Sequence, residues 1–250
     1  MISHPHRCIS VHIPKTAGNS LNRVFGVGWE DHTDVARYQA ELSPEIFQCY
    51  FKFAVVRNPW DRLLSDYNYQ CRKSRPDITK LHVFDPEGAR RKFSAWAVHA
   101  LTDIDRYPAS AWGGRVSAGI HRFSPQLDWI TIGGEWGIDY LARLETLDED
   151  FRSISQAVGL ESRRLPRRNR RFHFHYSWYY DAETRDLVGR YYAADIKAFG
   201  YEFEDRRNRF RWMGWSLRPT QPPPRPPTGV PVAPFERVNA LVHTRHAISK

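Results

Sequence analysis

The sequence predicts an α/β fold, P-loop-like and three-layered, with a mainly parallel central sheet flanked by helices. Three observations predict it. Apolar, β-branched stretches of strand length alternate with segments of helical period. Two of those stretches, Cys8 to Ile13 and Phe51 to Val56, each run into a short polar loop and then a helix. The second is apolar almost throughout, as a strand covered on both faces of a parallel sheet must be.

Cys8 to Ile13 alternates and is rich in β-branched residues, which predicts the first strand. Pro14 ends ladder pairing, and Gly18 lets the backbone turn tightly. Asn19-Ser20-Leu21 then opens a helix with residue types that cap helices. Amides at a helix start, with the helix dipole, attract an oxyanion. Lys15 adds a full positive charge, and Thr16 and Ser20 add hydroxyl donors. A Walker A loop, G-x-x-x-x-G-K-[ST], places lysine after its second glycine, whereas Lys15 precedes Gly18. No Ser/Thr placed for Mg²⁺ and no Walker B strand is evident.

Arg57 sits where the Phe51 to Val56 strand ends, the position at which open α/β sheets bind ligands. Trp60 to Arg72 reads as a helix, with Asp61 and Ser65 one turn apart on one face. An arginine there can grip a phosphate with two parallel bonds, and Ser65 adds a hydroxyl. With Arg62 as a second arginine, the two loops make two anion sites. They suit a nucleotide that carries phosphate-like charge at both ends.

Further along, Ala89 to Thr102 predicts an amphipathic helix. A second is predicted from Asp148 to Val158, started by Leu147-Asp148 and stopped by Gly159. Asp181 to Phe199 reads as the longest helix, packed on the sheet. Eight prolines fall between Pro219 and Pro234, which favours extended, solvated chain. The chain therefore divides into a domain over 1–216 and a Pro-rich flexible tail over 217–250.

These residues carry a resemblance. The chain resembles the carbohydrate sulfotransferases that use 3′-phosphoadenosine 5′-phosphosulfate, above all the group with chondroitin and uronyl 2-O-sulfotransferases and their bacterial relatives. In that family a P-K-T-A-G-T-S loop holds the 5′-phosphosulfate, and an R-x-P-x-x-R-x-x-S-x-Y segment holds the 3′-phosphate. Lys15 to Ser20 is similar to the first, with Asn19 in place of the usual threonine, and Arg57 to Tyr67 matches the second without a gap. The resemblance implies that Lys15, Thr16, Ala17, Gly18, Asn19 and Ser20 bind the phosphosulfate, and that Arg57 and Ser65 bind the 3′-phosphate. Weaker similarities continue through Gln126, Tyr140 to Glu145, Leu165-Pro166 with Asn169, and Tyr191 to Tyr201, so it covers roughly residues 7–203. By the same resemblance Arg168 and Asn169 close over the nucleotide. The implied co-substrate is 3′-phosphoadenosine 5′-phosphosulfate, with no metal.

Sulfuryl transfer needs a positioned donor, stabilisation of the leaving phosphate and a base for the acceptor hydroxyl. Lys15 suits the second role. His32 is the first choice as base, because the family's uronyl transferases carry a functional histidine before their second loop. Glu30 and Asp31 lie beside it as orienting groups or replacements. His12 reads as structural. His121, His173 and His175 are weaker alternatives, the last two alternating on one face that could line an acceptor groove.

The formal net charge is +9. Six arginines lie between Arg163 and Arg171, and Arg206 to Arg211 forms a second cluster. Beside such a site, basic clusters point to a carbohydrate or acidic glycan acceptor rather than to a specific nucleic acid. Trp96, Trp112, Trp129 and Trp136 could stack on sugar faces, although such residues more often belong to cores. Cys8, Cys49 and Cys71 read as reduced thiols without metal spacing. No apolar run is long enough to cross a membrane and no signal-peptide pattern opens the chain, so a cytoplasmic protein is expected, with peripheral membrane association left open. Competing readings are a nucleotide-dependent kinase, which requires Mg²⁺, a non-catalytic binder of glycan or nucleic acid, and a catalytically dead relative.

Overall fold

The structure is a computed structural model that describes residues 1–28, 32–74, 85–103, 114–161, 165 and 174–207. Its centre is a four-stranded sheet of β1 (Ile2–Ser3), β2 (Cys8–Val11), β4 (Phe51–Val56) and β8 (Tyr140–Arg143), in the order β1-β2-β4-β8. β2 pairs parallel with β4 and β4 parallel with β8, whereas the edge strand β1 is antiparallel to β2. The expectation of a mixed α/β fold with a mainly parallel sheet is met.

Side-chain alternation builds two cores from one sheet. Ile9, Val11, Ala54 and Val56 point to one face. There they pack with residues of α2 (Val35–Glu41), α6 (Gln126–Ile130) and α9 (Ala193–Phe199). Cys8, Phe53, Val55 and Ala142 point to the other, against α1 (Gly18–Val24) and α7 (Leu147–Ala157). A third apolar cluster joins α4 (Pro59–Ser74), α5 (Pro86–Thr102), α8 (Ala182–Tyr191) and the 3₁₀ turn Tyr176–Tyr179. The remaining helix, α3 (Pro44–Cys49), leads into β4, and β6 (Thr131–Ile132) pairs antiparallel with β7 (Glu135–Trp136).

The helices predicted from Trp60, Ala89 and Asp148 are present as α4, α5 and α7. Gly159 takes a φ of 64° just after α7, the left-handed conformation that glycine adopts at helix ends. The single helix expected from Asp181 to Phe199 is instead two, broken at Tyr192. The break redirects the chain from one core to another: Val188 of α8 belongs to the third cluster, and Phe199 of α9 lies under the sheet. Asp195 in the first turn of α9 then accepts from the amides of Gln126 and Leu127 at 2.8 and 2.9 Å. It thus caps α6, whose own N-cap, Pro125, has no side-chain donor or acceptor to offer.

Cys8 is buried, and Cys49 and Cys71 half-buried; all three are free thiols. Burial pushes the Cys8 thiol up to about 12, so it is an inert core residue. Among the described residues, no helix is long and apolar enough to cross a membrane. The tail from 217 lies outside the described residues.

Candidate functional site

The loop between β2 and α1 is shaped by Lys15 and Ala17, which take left-handed φ angles of 72° and 73°. Non-glycine residues adopt that conformation only when their surroundings enforce it. The enforcing contacts are identifiable. Thr16 donates its hydroxyl to the carbonyl of Ile13 at 2.9 Å. Arg57 Nη1 donates to the carbonyl of Lys15 at 3.2 Å. Arg62 Nε donates to the carbonyl of Pro14 at 3.3 Å.

Several sequence expectations change here. Gly18 is not the residue that turns the chain; Lys15 and Ala17 are. A Cβ on Gly18 would lie 1.8 Å from His12 Nε2, so glycine is required for the close approach of that ring. The N-cap of α1 is Ala17, not Asn19 or Ser20, and it supplies no side-chain cap. Thr16 is buried and already donates within the loop. Asn19 is exposed and Ser20 half-buried. Arg62 is buried and also donates to the carbonyls of Ser124 and Arg122 at 3.1 and 3.0 Å. It is a structural knot, not a second anion-binding arginine.

The loop between β4 and α4 is pinned by two side chains from distant elements. Gln126 Oε1 accepts from the Arg57 amide and Gln126 Nε2 donates to the Arg57 carbonyl, both at 2.9 Å. Glu145, which follows β8, accepts from the Asn58 amide at 2.7 Å. Asn58 Oδ1 in turn accepts from the Trp60 amide at 3.1 Å in the first turn of α4. The Arg57 guanidinium bonds Asp61 through Nε at 2.8 Å and Lys15 through Nη1. Neither bond uses Nη2. Ser65 is half-buried, one turn beyond Asp61.

His32 lies in a two-residue strand, β3 (His32–Thr33), paired parallel with β5 (Gly114–Arg115). The next residue, Asp34, is fully buried; it caps α2 and accepts from the Ser117 amide at 2.7 Å and from the Ser117 hydroxyl at 2.9 Å. The His32 ring bonds the His12 carbonyl through Nδ1 at 3.0 Å, and the two imidazoles stand 4.1 Å apart. A carbonyl only accepts, so Nδ1 carries the proton and Nε2 the lone pair. Burial pushes His32 down to about 4, against the upward pull of that bond; the positive charges of Arg122 and Lys15 lower it further, and Asp66 opposes them. Burial, then His32, keep His12 well below its ordinary value, and Lys15 also lowers it. His32 is thus a neutral imidazole close to Lys15.

The other basic candidates serve the scaffold. His121 Nδ1 accepts from the Phe123 amide at 3.2 Å. His175 accepts from Ser177 as the cap of the turn Tyr176–Tyr179. Trp129 is fully buried, and Trp96 and Trp136 pack against the cores. Glu30, Asp31, Trp112, Arg168, Asn169 and His173 lie outside the described residues. Among the described residues, no group of three or more His, Cys, Asp or Glu is placed to hold a metal ion.

Sequence reasoning did not anticipate Tyr69 and the Arg122–Asp66 pair. The Lys15 ammonium lies 4.2 Å from the centre of the Tyr69 ring. Asp66 holds Arg122 by two bonds, one of 2.6 Å to Nε and one to Nη2. Both partners are buried. The motif spacing flags α4 as functional, but no sequence signal pairs it with Arg122.

The arrangement brings one ammonium, one guanidinium and one neutral imidazole to the carboxyl ends of adjacent parallel strands, a constellation able to bind anionic groups and accept a proton. No curated protein and no solved structure gives a significant match to the chain. Residues 1–202 match the family model described as Sulfotransferase family. That match spans most of the 250 residues, and the chain belongs to the sulfotransferase family.

Proposed function

We propose that this sulfotransferase takes its sulfuryl group from 3′-phosphoadenosine 5′-phosphosulfate and delivers it to a hydroxyl of a carbohydrate acceptor by in-line displacement. The observation that carries this reading is the contact between the two loops. Arg57, assigned to the 3′-phosphate, bonds the backbone of Lys15, assigned to the phosphosulfate, so the two loops touch directly, which supports assigning both to one nucleotide. Thr16, Ala17, Gly18, Asn19 and Ser20 form the rest of the phosphosulfate loop in this reading. Ser65 joins Arg57 at the 3′-phosphate in this reading, and Arg168 and Asn169 are assigned to the nucleotide by the family resemblance.

In the reaction the acceptor oxygen attacks sulfur. Its bond to sulfur forms as the bond between sulfur and the 5′-phosphate oxygen breaks. The electron pair stays on that oxygen, where the Lys15 ammonium meets the developing charge. The acceptor proton passes to Nε2 of His32. The products are a sulfate ester and adenosine 3′,5′-bisphosphate. The two pinned loops hold the donor in line, which is a proximity effect. The scheme gives no step to a metal. The net charge of +9 favours an acidic glycan as acceptor. The catalytic domain extends to 216, and the tail from 217 takes no part in the chemistry.

The test is transfer of labelled sulfate from the donor to a panel of uronic-acid glycans and neutral oligosaccharides. Label appearing on an acidic glycan, without added metal, supports the reading. Label on none of them, or on a non-carbohydrate acceptor alone, overturns the acceptor assignment.

A further inference from the structure

Lysine side chains are long and flexible, and a catalytic ammonium loses effectiveness if it wanders from the reacting oxygen. Here Lys15 is not left to wander. Its ammonium stands 4.2 Å from the centre of the Tyr69 ring, within the range of cation–π attraction. The ring is itself anchored. Asp66, one turn earlier on α4, holds Arg122 by two buried bonds, and the Arg122 guanidinium stands 5.4 Å from the same ring. The carbonyl of Arg122 accepts from Arg62, and Arg62 Nε bonds the carbonyl of Pro14, the residue before Lys15. Helix, guanidinium and loop are therefore fixed relative to one another, and the Asp66 carboxylate offsets the second positive charge beside the ring.

We propose that Tyr69 is a positioning residue for Lys15, its π face holding the ammonium over the anion loop until the donor draws it onto the bridging oxygen. The inference rests on the sulfuryl-transfer reading above. A cation–π contact is weaker than a charge-assisted bond to a phosphate oxygen, so the ring orients the ammonium without trapping it. The ring face and not the hydroxyl does this.

Tyr69→Phe and Tyr69→Leu test it. With Phe, kcat stays within about twofold of wild type. With Leu it falls about tenfold, the size of one lost cation–π contact. The dissociation constant for adenosine 3′,5′-bisphosphate moves less than about threefold in both, since the contact acts on the transferring end of the donor. A readout independent of turnover is acylation of Lys15 in donor-free protein, followed by mass spectrometry: it quickens severalfold in Tyr69→Leu and stays at the wild-type rate in Tyr69→Phe. Wild-type turnover and acylation in the Leu variant, or equal losses in both variants, would overturn the proposal. Failure of the wild-type enzyme to bind the bisphosphate would instead remove the donor reading, while the acylation comparison would still decide the Tyr69 contact.

Discussion

The His32 imidazole donates from Nδ1 to the main-chain carbonyl of His12 at 3.0 Å. That bond fixes the tautomer and leaves the basic lone pair on Nε2. Because the folded ring titrates at about 4, the base form persists well into acid. We expect kcat to be flat from neutral pH to about 5 and to fall only as pH approaches 4. An acid limb near the ordinary histidine value of about 6.5 would remove His32 from the role. His32→Ala should cost about 10²- to 10⁴-fold in kcat with donor binding nearly unchanged.

The same shift bears on stability. A histidine held below its unfolded value binds fewer protons when folded, so unfolding takes up protons in the interval between the two values. His32 and His12 both act in this direction. The His32 contribution is complete above about pH 6.5 and is lost as pH falls towards 4, and that of His12 is lost in the same direction. Thermal melts of wild type should drop through this window, and those of His32→Ala should drop less.

Lys15→Ala removes the charge facing the leaving oxygen. Loss of one such electrostatic group typically costs about 10²- to 10³-fold in kcat, and single-turnover rates of sulfate transfer would show it. Near-normal turnover would contradict the role assigned to Lys15.

Gly18→Ala drives a methyl into the His12 ring, with Cδ2 also only 2.2 Å from the new carbon. Such overpacking should destabilise the fold by roughly 1–3 kcal/mol and displace the loop. In His12→Ala the obstruction is gone, so adding Gly18→Ala there should cost much less. A double-mutant cycle in urea should show that coupling; strict additivity would contradict the packing argument.

Gln126→Ala strips the partners from the amide and carbonyl of Arg57. Unpaired, these two part-buried backbone groups cost up to roughly 1–3 kcal/mol each, the figure for full burial. We expect a lower Tm together with weaker nucleotide binding, measured by calorimetry on the still-folded variant. Loss of stability alone, with binding intact, would show that the clamp does not position Arg57.

Much of the frame could be read from local signals. The Phe51–Val56 strand was legible to the residue, because a strand buried on both faces leaves a nearly continuous apolar run, here interrupted by Lys52. The two loops were legible as motifs, because their residues are consecutive. What holds the loops was not. Gln126 meets Arg57 from 69 positions away, and His12 limits Gly18 through side-chain volume. Lys15, in the loop after β2, meets Tyr69 on α4. The split of the Asp181–Phe199 helix was hidden too, since its cause is the need of two separate cores for Val188 and Phe199.

The most direct measurement is calorimetric binding of adenosine 3′,5′-bisphosphate and of ADP, each with and without Mg²⁺, to wild type and to Arg57→Ala. The account predicts metal-independent preference for the bisphosphate, with an affinity loss of about tenfold or more in Arg57→Ala, as expected for a removed charge-assisted bond. Equal binding of the two nucleotides, or ADP binding that depends on Mg²⁺, would contradict it.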